Sequence, residues 1–127
     1  MSSLVNQVQL IGHLGSDAVI KTTAQGVQVS TFSVATNEMG KSISGERNEA
    51  TLWHQCVVWG DLNKRIEKYG KKGAQVMIQG SLNYRSYEDT KGLTKHLTEV
   101  RVHNFLVLVF AKSKDYIEHE NDDKLPI

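Results

Sequence analysis

Three features of this sequence predict an all-β fold. Val, Ile and Thr recur in short runs of alternating polarity, ten glycines break those runs, and a single stretch carries a helical pattern. With 127 residues the chain can bury one core but not two, and its only proline stands at position 126. Cys56 is the only cysteine, so the sequence holds neither a disulfide framework nor a thiolate zinc site. The start, MSSLVNQVQL, lacks a basic region followed by an apolar run, and no segment reaches membrane-spanning length. The expectation is a soluble, cytoplasmic protein without a membrane partner.

The elements follow in order. Residues 4–14, LVNQVQLIGHL, alternate loosely and stop at Gly15 and Ser16, which predicts a first strand closing in a turn, and residues 19–23 extend it. In VQVSTFSVATN, Val27, Val29, Thr31, Ser33 and Ala35 alternate with Gln28, Ser30, Phe32, Val34 and Thr36, a long second strand. Residues 38–50 have no sustained period and two glycines, so they read as a mobile loop. TLWHQCVVWG, residues 51–60, is the third strand. GDLNKRIEKYG is the one convincing helix: Asp61 is suited to cap its start, Leu62, Ile66 and Tyr69 form an apolar stripe, and Gly70 is placed to end it. AQVMIQGSLNYRSYE gives a fourth strand with a bulge or bend at Gly80. Asp89 to Gly92 supplies a turn, and LTKHLTEVRVHNFLVLV is the fifth strand. Five strands with one short helix between the third and fourth is the order of an OB-fold barrel. That barrel is expected over residues 1–111, with residues 112–127 as a flexible acidic tail.

Charge is unevenly divided. Residues 1–112 carry a net +4, and residues 113–127 a net −3. A mildly basic body suits a polyanion, while the tail suits either a basic partner or simple solvation. Catalysis is not expected. The histidines at 13, 54, 96, 103 and 119 lie on separate segments without paired metal spacing, and no nucleotide-binding signature occurs, so neither metal nor cofactor is implied. GKKG, residues 70–73, matches the backbone clamp of KH domains in letters only, because a strand pattern follows it where that motif needs a helix.

The informative pattern is aromatic and basic. A spacing of six puts Trp53 and Trp59 on one side of the third strand, roughly 20 Å apart at strand rise, with His54, Cys56 and Val58 on the other. On pattern alone, core packing is the commoner role for such a pair. Yet Tyr84, Arg85 and Tyr87 lie on the fourth strand, and Lys21, Lys41, Arg47, Lys71 and Lys72 in turns or loops. Rings cover the flat faces of unstacked bases and nearby cations neutralise phosphates, a combination that grips single strands without reading their sequence. Parity sets Arg85 with Tyr87 and Tyr84 opposite, unless a bulge intervenes, which favours Tyr87.

From about Leu4 to Val109 the chain resembles the bacterial single-stranded DNA-binding protein family, SSB. The matching stretches, in family order and spacing, are VNQVQLIGHLGSD, FSVATNE, WHQCVVWGDL, YGKKGAQVMIQGSL and YEDTKGLTKHLTEVRV. The resemblance implies an OB barrel, a homotetramer wrapped by single-stranded DNA, no catalysis, and work beside replication, recombination and repair proteins in the nucleoid. Trp53, Trp59 and Tyr87 fall where the family stacks bases. The tip DDKLPI, with Asp122, Asp123, Leu125, Pro126 and Ile127, is similar to the acidic apolar end by which the family docks its partners. Three departures stand out: Met39 and Gly40 replace a further stacking Trp, Asp61 occupies a position that is often basic, and the short tail carries Lys124 and ends in Ile127 instead of Phe. Two alternatives use the same barrel. One is a primosomal-type adaptor acting through protein contacts, and the other is an RNA-binding OB module.

Overall fold

The computed structural model describes residues 4–41, 45 and 47–111. The expected acidic tail therefore lies outside the described residues. Among the described residues there are six strands: β1 (Val8–Leu14), β2 (Val19–Thr22), β3 (Gln28–Lys41), β4 (Arg47–Trp59), β5 (Gln75–Glu88) and β6 (Thr94–Val109). β1 and β2 are the two halves of the first barrel strand, broken at residues 15–18. The barrel thus has five strands, as predicted. Antiparallel neighbours run β2–β3–β4 and β6–β5–β1, β4 meets β6 in parallel, and β1 closes the ring on β3 through His13 opposite Ala35 and Leu14 opposite Val34.

Alternation decides what lies inside. Leu14, Phe32, Val34, Cys56, Val58, Val76, Ile78, Val100, Val102 and Phe105 point inward and form one cluster, joined by Ile66 of the helix. Phe105 meets Phe32 edge to face, with ring centroids 6.2 Å apart. Burial pushes the Cys56 thiol up to about 12, helped by the nearby Glu99 charge, so this sulfur behaves as a small apolar side chain.

The connection from β4 to β5 is a 3-10 turn, Gly60–Leu62, running into α1 (Asn63–Tyr69). Here the structure corrects the sequence reading: Asp61 makes no capping bond, and Asn63 anchors the helix start instead. Its buried amide nitrogen lies 2.9 Å from the Gln28 carbonyl oxygen and 3.1 Å from those of Val58 and Gly60. It ties the helix to the ends of β3 and β4, a role a distant carbonyl gives it and local sequence cannot reveal. Gly70 does end the helix, donating its N–H to the Ile66 carbonyl at 2.7 Å.

Two strand boundaries also differ from expectation. The first strand begins at Val8, because Leu4 to Asn6 form a turn, and the Asn6 side chain holds the edge of β5 through the Leu82 N–H and carbonyl at 2.8 and 3.0 Å. Residues 38–50 are mostly strand: β3 and β4 continue outward as a hairpin arm with unbroken register from Val29–Trp59 to Lys41–Arg47. The arm's described side chains, Glu38, Met39, Glu49 and Ala50 among them, are exposed on both faces, so no buried face of period two marks it. Its cross-strand pairs include a hydrogen bond from the Thr51 hydroxyl to the Asn37 side-chain oxygen at 3.0 Å.

β5 and β6 form the second arm. Their register shifts at Gly80, as predicted, because Gln79 faces Asn104 while Gly80 faces Val102. A Cβ at Gly80 would collide with the Arg101 carbonyl oxygen, so only glycine lets the two strands approach there.

Candidate nucleic-acid interface

One outer face gathers most of the residues singled out above. Across β2, β3 and β4, Lys21, Val29 and Trp59 lie in one row, and Val19, Thr31 and Val57 in the next. Arg101 of β6 stands beside Val57, and Ser81 of β5 stands opposite Arg101. The following rows hold Ser33 with Gln55, whose amide donates to the Ser33 hydroxyl at 3.0 Å, and Ala35 with Trp53. On the β5–β6 arm the same face continues through Asn83 and Glu99, Arg85 and Leu97, Tyr87 and Lys95. Rings and cations thus recur among polar and apolar neighbours on one face from Lys21 to Tyr87.

The rings on this band are open. Trp53 is 58 % exposed, Trp59 47 % and Tyr87 48 %, although between the two tryptophans Val57 is buried as a flush apolar floor. Core packing, the commoner role for such a pair, is not theirs. The six-membered ring of Trp53 rests against Gly15, where an added Cβ would fall 2.9 Å from Cη2 and closer still to Cζ3. One side of the indole is thus held by backbone while the ring remains solvent-exposed. Gly15 sits where the first strand breaks, and no motif in the sequence marks this role. A Gly15→Ala variant is expected to displace the ring and weaken single-strand binding several-fold while the fold is retained, measured by titration with oligo-dT alongside circular dichroism.

The Lys71–Lys72 turn is fastened to the same corner. The Lys72 N–H donates to the Asp17 carboxylate at 2.8 Å, and the Gly73 N–H to the Leu14 carbonyl at 2.9 Å. Both lysine side chains are exposed. On the second arm the Arg85 guanidinium lies 5.9 Å from the Tyr87 ring centroid, and its Nε donates to Glu99 at 3.0 Å. Parity holds: the register shift precedes this segment, and Tyr84 lies on the opposite face, opposite Thr98. Lys41 and Arg47 face each other across the end of the β3–β4 arm, on strand and not in a loop. Met39 is exposed on the same arm. The tip residues Asp122, Asp123, Leu125, Pro126 and Ile127 lie outside the described residues.

The family model described as the single-strand binding protein family matches residues 5–108. The chain belongs to this family. Similar relatives include a single-stranded DNA-binding protein 1 of Chlorobaculum tepidum, 46 % identical over 101 residues, which span 79 % of this chain and 62 % of that protein. A Rickettsia felis single-stranded DNA-binding protein is 38 % identical over 125 residues, covering 96 % of this chain and 82 % of that one. Among solved structures, a Plasmodium falciparum SSB in complex with single-stranded DNA matches with a TM-score of 0.77 and 32 % identity, over 85 % of this chain and 98 % of that one.

Family membership carries no catalytic activity. Among the described residues, no group of three or more His, Cys, Asp or Glu side chains could hold a metal ion, and no helix is long and apolar enough to cross a membrane. Sequence reasoning missed Gly15, Lys95, Glu99 and Arg101 as members of this face. Register, which sequence alone leaves open, is what brings them in.

Proposed function

We propose that this chain binds single-stranded DNA without regard to sequence, protecting and organising exposed strands during replication, recombination and repair. The observation that carries the reading is the pair of open indoles, Trp53 and Trp59, on the face that also bears Lys21 and Arg101. In this reading Trp53, Trp59 and Tyr87 stack on bases. Lys21, Lys71, Lys72, Arg101, and Lys41 and Arg47 at the arm's end, meet phosphates. Tyr84, on the other face of the arm, contributes only if the strand wraps around that arm. A duplex keeps its base faces inside its own stack, so such a surface selects against it.

The matching proteins named for single-stranded DNA binding, and the solved complex with such DNA, support the same reading. Competition between an oligo-dT and a duplex of equal length tests it. The duplex is expected to displace oligo-dT only at large excess, with affinity for both falling as salt rises. Equal affinity for the duplex would overturn the proposal.

Two finer points belong to the same reading. Ile11, Met77 and Leu106 form an apolar row across β1, β5 and β6, with Ile11 and Leu106 exposed, which supports self-association into the homotetramer usual in this family. The tail tip from Asp122 to Ile127 is proposed to dock replication and repair proteins. Domain division at residue 111 follows from that separation of roles.

A further inference from the structure

A carboxylate in the middle of a surface meant for a polyanion demands a reason. Glu99 is 5 % exposed, yet it stands on the outer face of β6, two residues before Arg101, and not in the core. Its Oε1 accepts from Arg85 Nε at 3.0 Å and from Asn83 Nδ2 at 3.2 Å. The Arg85 side chain remains half exposed, with its guanidinium 5.9 Å from the Tyr87 ring centroid. A guanidinium has five N–H donors in a fixed plane, and binding it by Nε fixes the direction of the whole plane.

Charge follows the same geometry. An arginine paired at 3.0 Å with a buried carboxylate presents little net field to a phosphate, because the two charges act as one dipole. Its flat face and the adjacent ring remain available to a base.

We infer that Glu99 is a specificity-determining positioning residue: by gripping Arg85 at Nε it converts that cation from a phosphate contact into the support of the Tyr87 stacking platform. This rests on the single-strand-binding reading above. With its charge offset by Glu99, Arg85 draws no phosphate to that point, which leaves the platform to bases.

The inference separates from a merely structural role in the salt dependence of binding. Each phosphate neutralised on a single strand contributes about 0.7 to the slope of log affinity against log salt. Arg85→Gln combined with Glu99→Gln removes the pair as a unit, without stranding either charge, and is therefore expected to weaken oligo-dT binding while leaving the slope unchanged. Glu99→Gln keeps the shape and the acceptor oxygen but frees the Arg85 charge. It is expected to steepen the slope by about 0.7, equivalent to roughly 2.6-fold more affinity lost between 50 and 200 mM salt, and to narrow the preference for single strand over duplex. If the double variant lowers the slope by about 0.7, or if Glu99→Gln folds and leaves both slope and preference unchanged, the inference is overturned. A wild-type protein that fails to bind oligo-dT overturns the single-strand reading itself, a result that neither variant can mimic.

Discussion

Replacing Trp53 and Trp59 together by alanine is expected to cost on the order of 2–6 kcal/mol of oligo-dT affinity, at least some thirtyfold. The figure doubles a stacking contribution of about 1–3 kcal/mol per base, a range carried over from single-strand-binding OB-folds, this family among them, and not calculated from the present geometry. Doubling is justified because residues six apart on a strand lie roughly 20 Å from one another, beyond the distance at which substitutions ordinarily couple. The two rings also rest on different supports: Trp53 on the Gly15 backbone, Trp59 in the row with Val29 and Lys21. Each is about half exposed, so truncation removes surface that folding had only partly buried. The folding cost is correspondingly limited, about 1–2 kcal/mol per site. Binding isotherms and thermal melts on the same preparations separate the two effects. Affinity that falls only as far as the unfolded fraction requires would return the tryptophans to a structural role.

Ile78→Ala is expected to do the reverse. Ile78 is fully buried at the centre of the inner face, between Leu10 on β1 and Phe105 on β6. Phe105 in turn supports Phe32 across the barrel. Removing the side chain leaves a cavity that sheet strands on both sides cannot collapse to fill. A loss of about 2–5 kcal/mol in folding stability follows, with a melting temperature lower by on the order of 10 °C. Because the outer face is untouched, affinity per folded molecule should stay within about twofold of wild type. Denaturant melts combined with titration below the transition check both halves.

Much of this architecture was legible in the chain itself. The order of five strands and one helix predicts the barrel, and alternation separates Cys56 and Val58 from the two tryptophans, but which of those faces is outermost came from the family resemblance and not from the pattern. What escaped is physically distinct. The β3–β4 arm is held by backbone pairing and polar side chains such as Thr51 and Asn37, so it carries no hydrophobic period to read. Asn63 replaces Asp61 at the helix start because its partners are carbonyls on β3, on β4 and in the intervening turn. Gly15 and Glu99 acquire their roles from Trp53 and Arg85, which are distant in sequence. Spacing within one strand is visible in a sequence. Register between strands is not, and the site is assembled by register.

The presence of only two tryptophans makes the central claim directly measurable. Trp53→Phe leaves Trp59 as the sole indole, and Trp59→Phe leaves Trp53, so the emission of each variant reports on one position of the same face. Titration with poly-dT is predicted to quench the emission of both variants at the same stoichiometry, because a single strand passes over both rings. Quenching at one position only, or at neither while DNA is bound, would contradict the account.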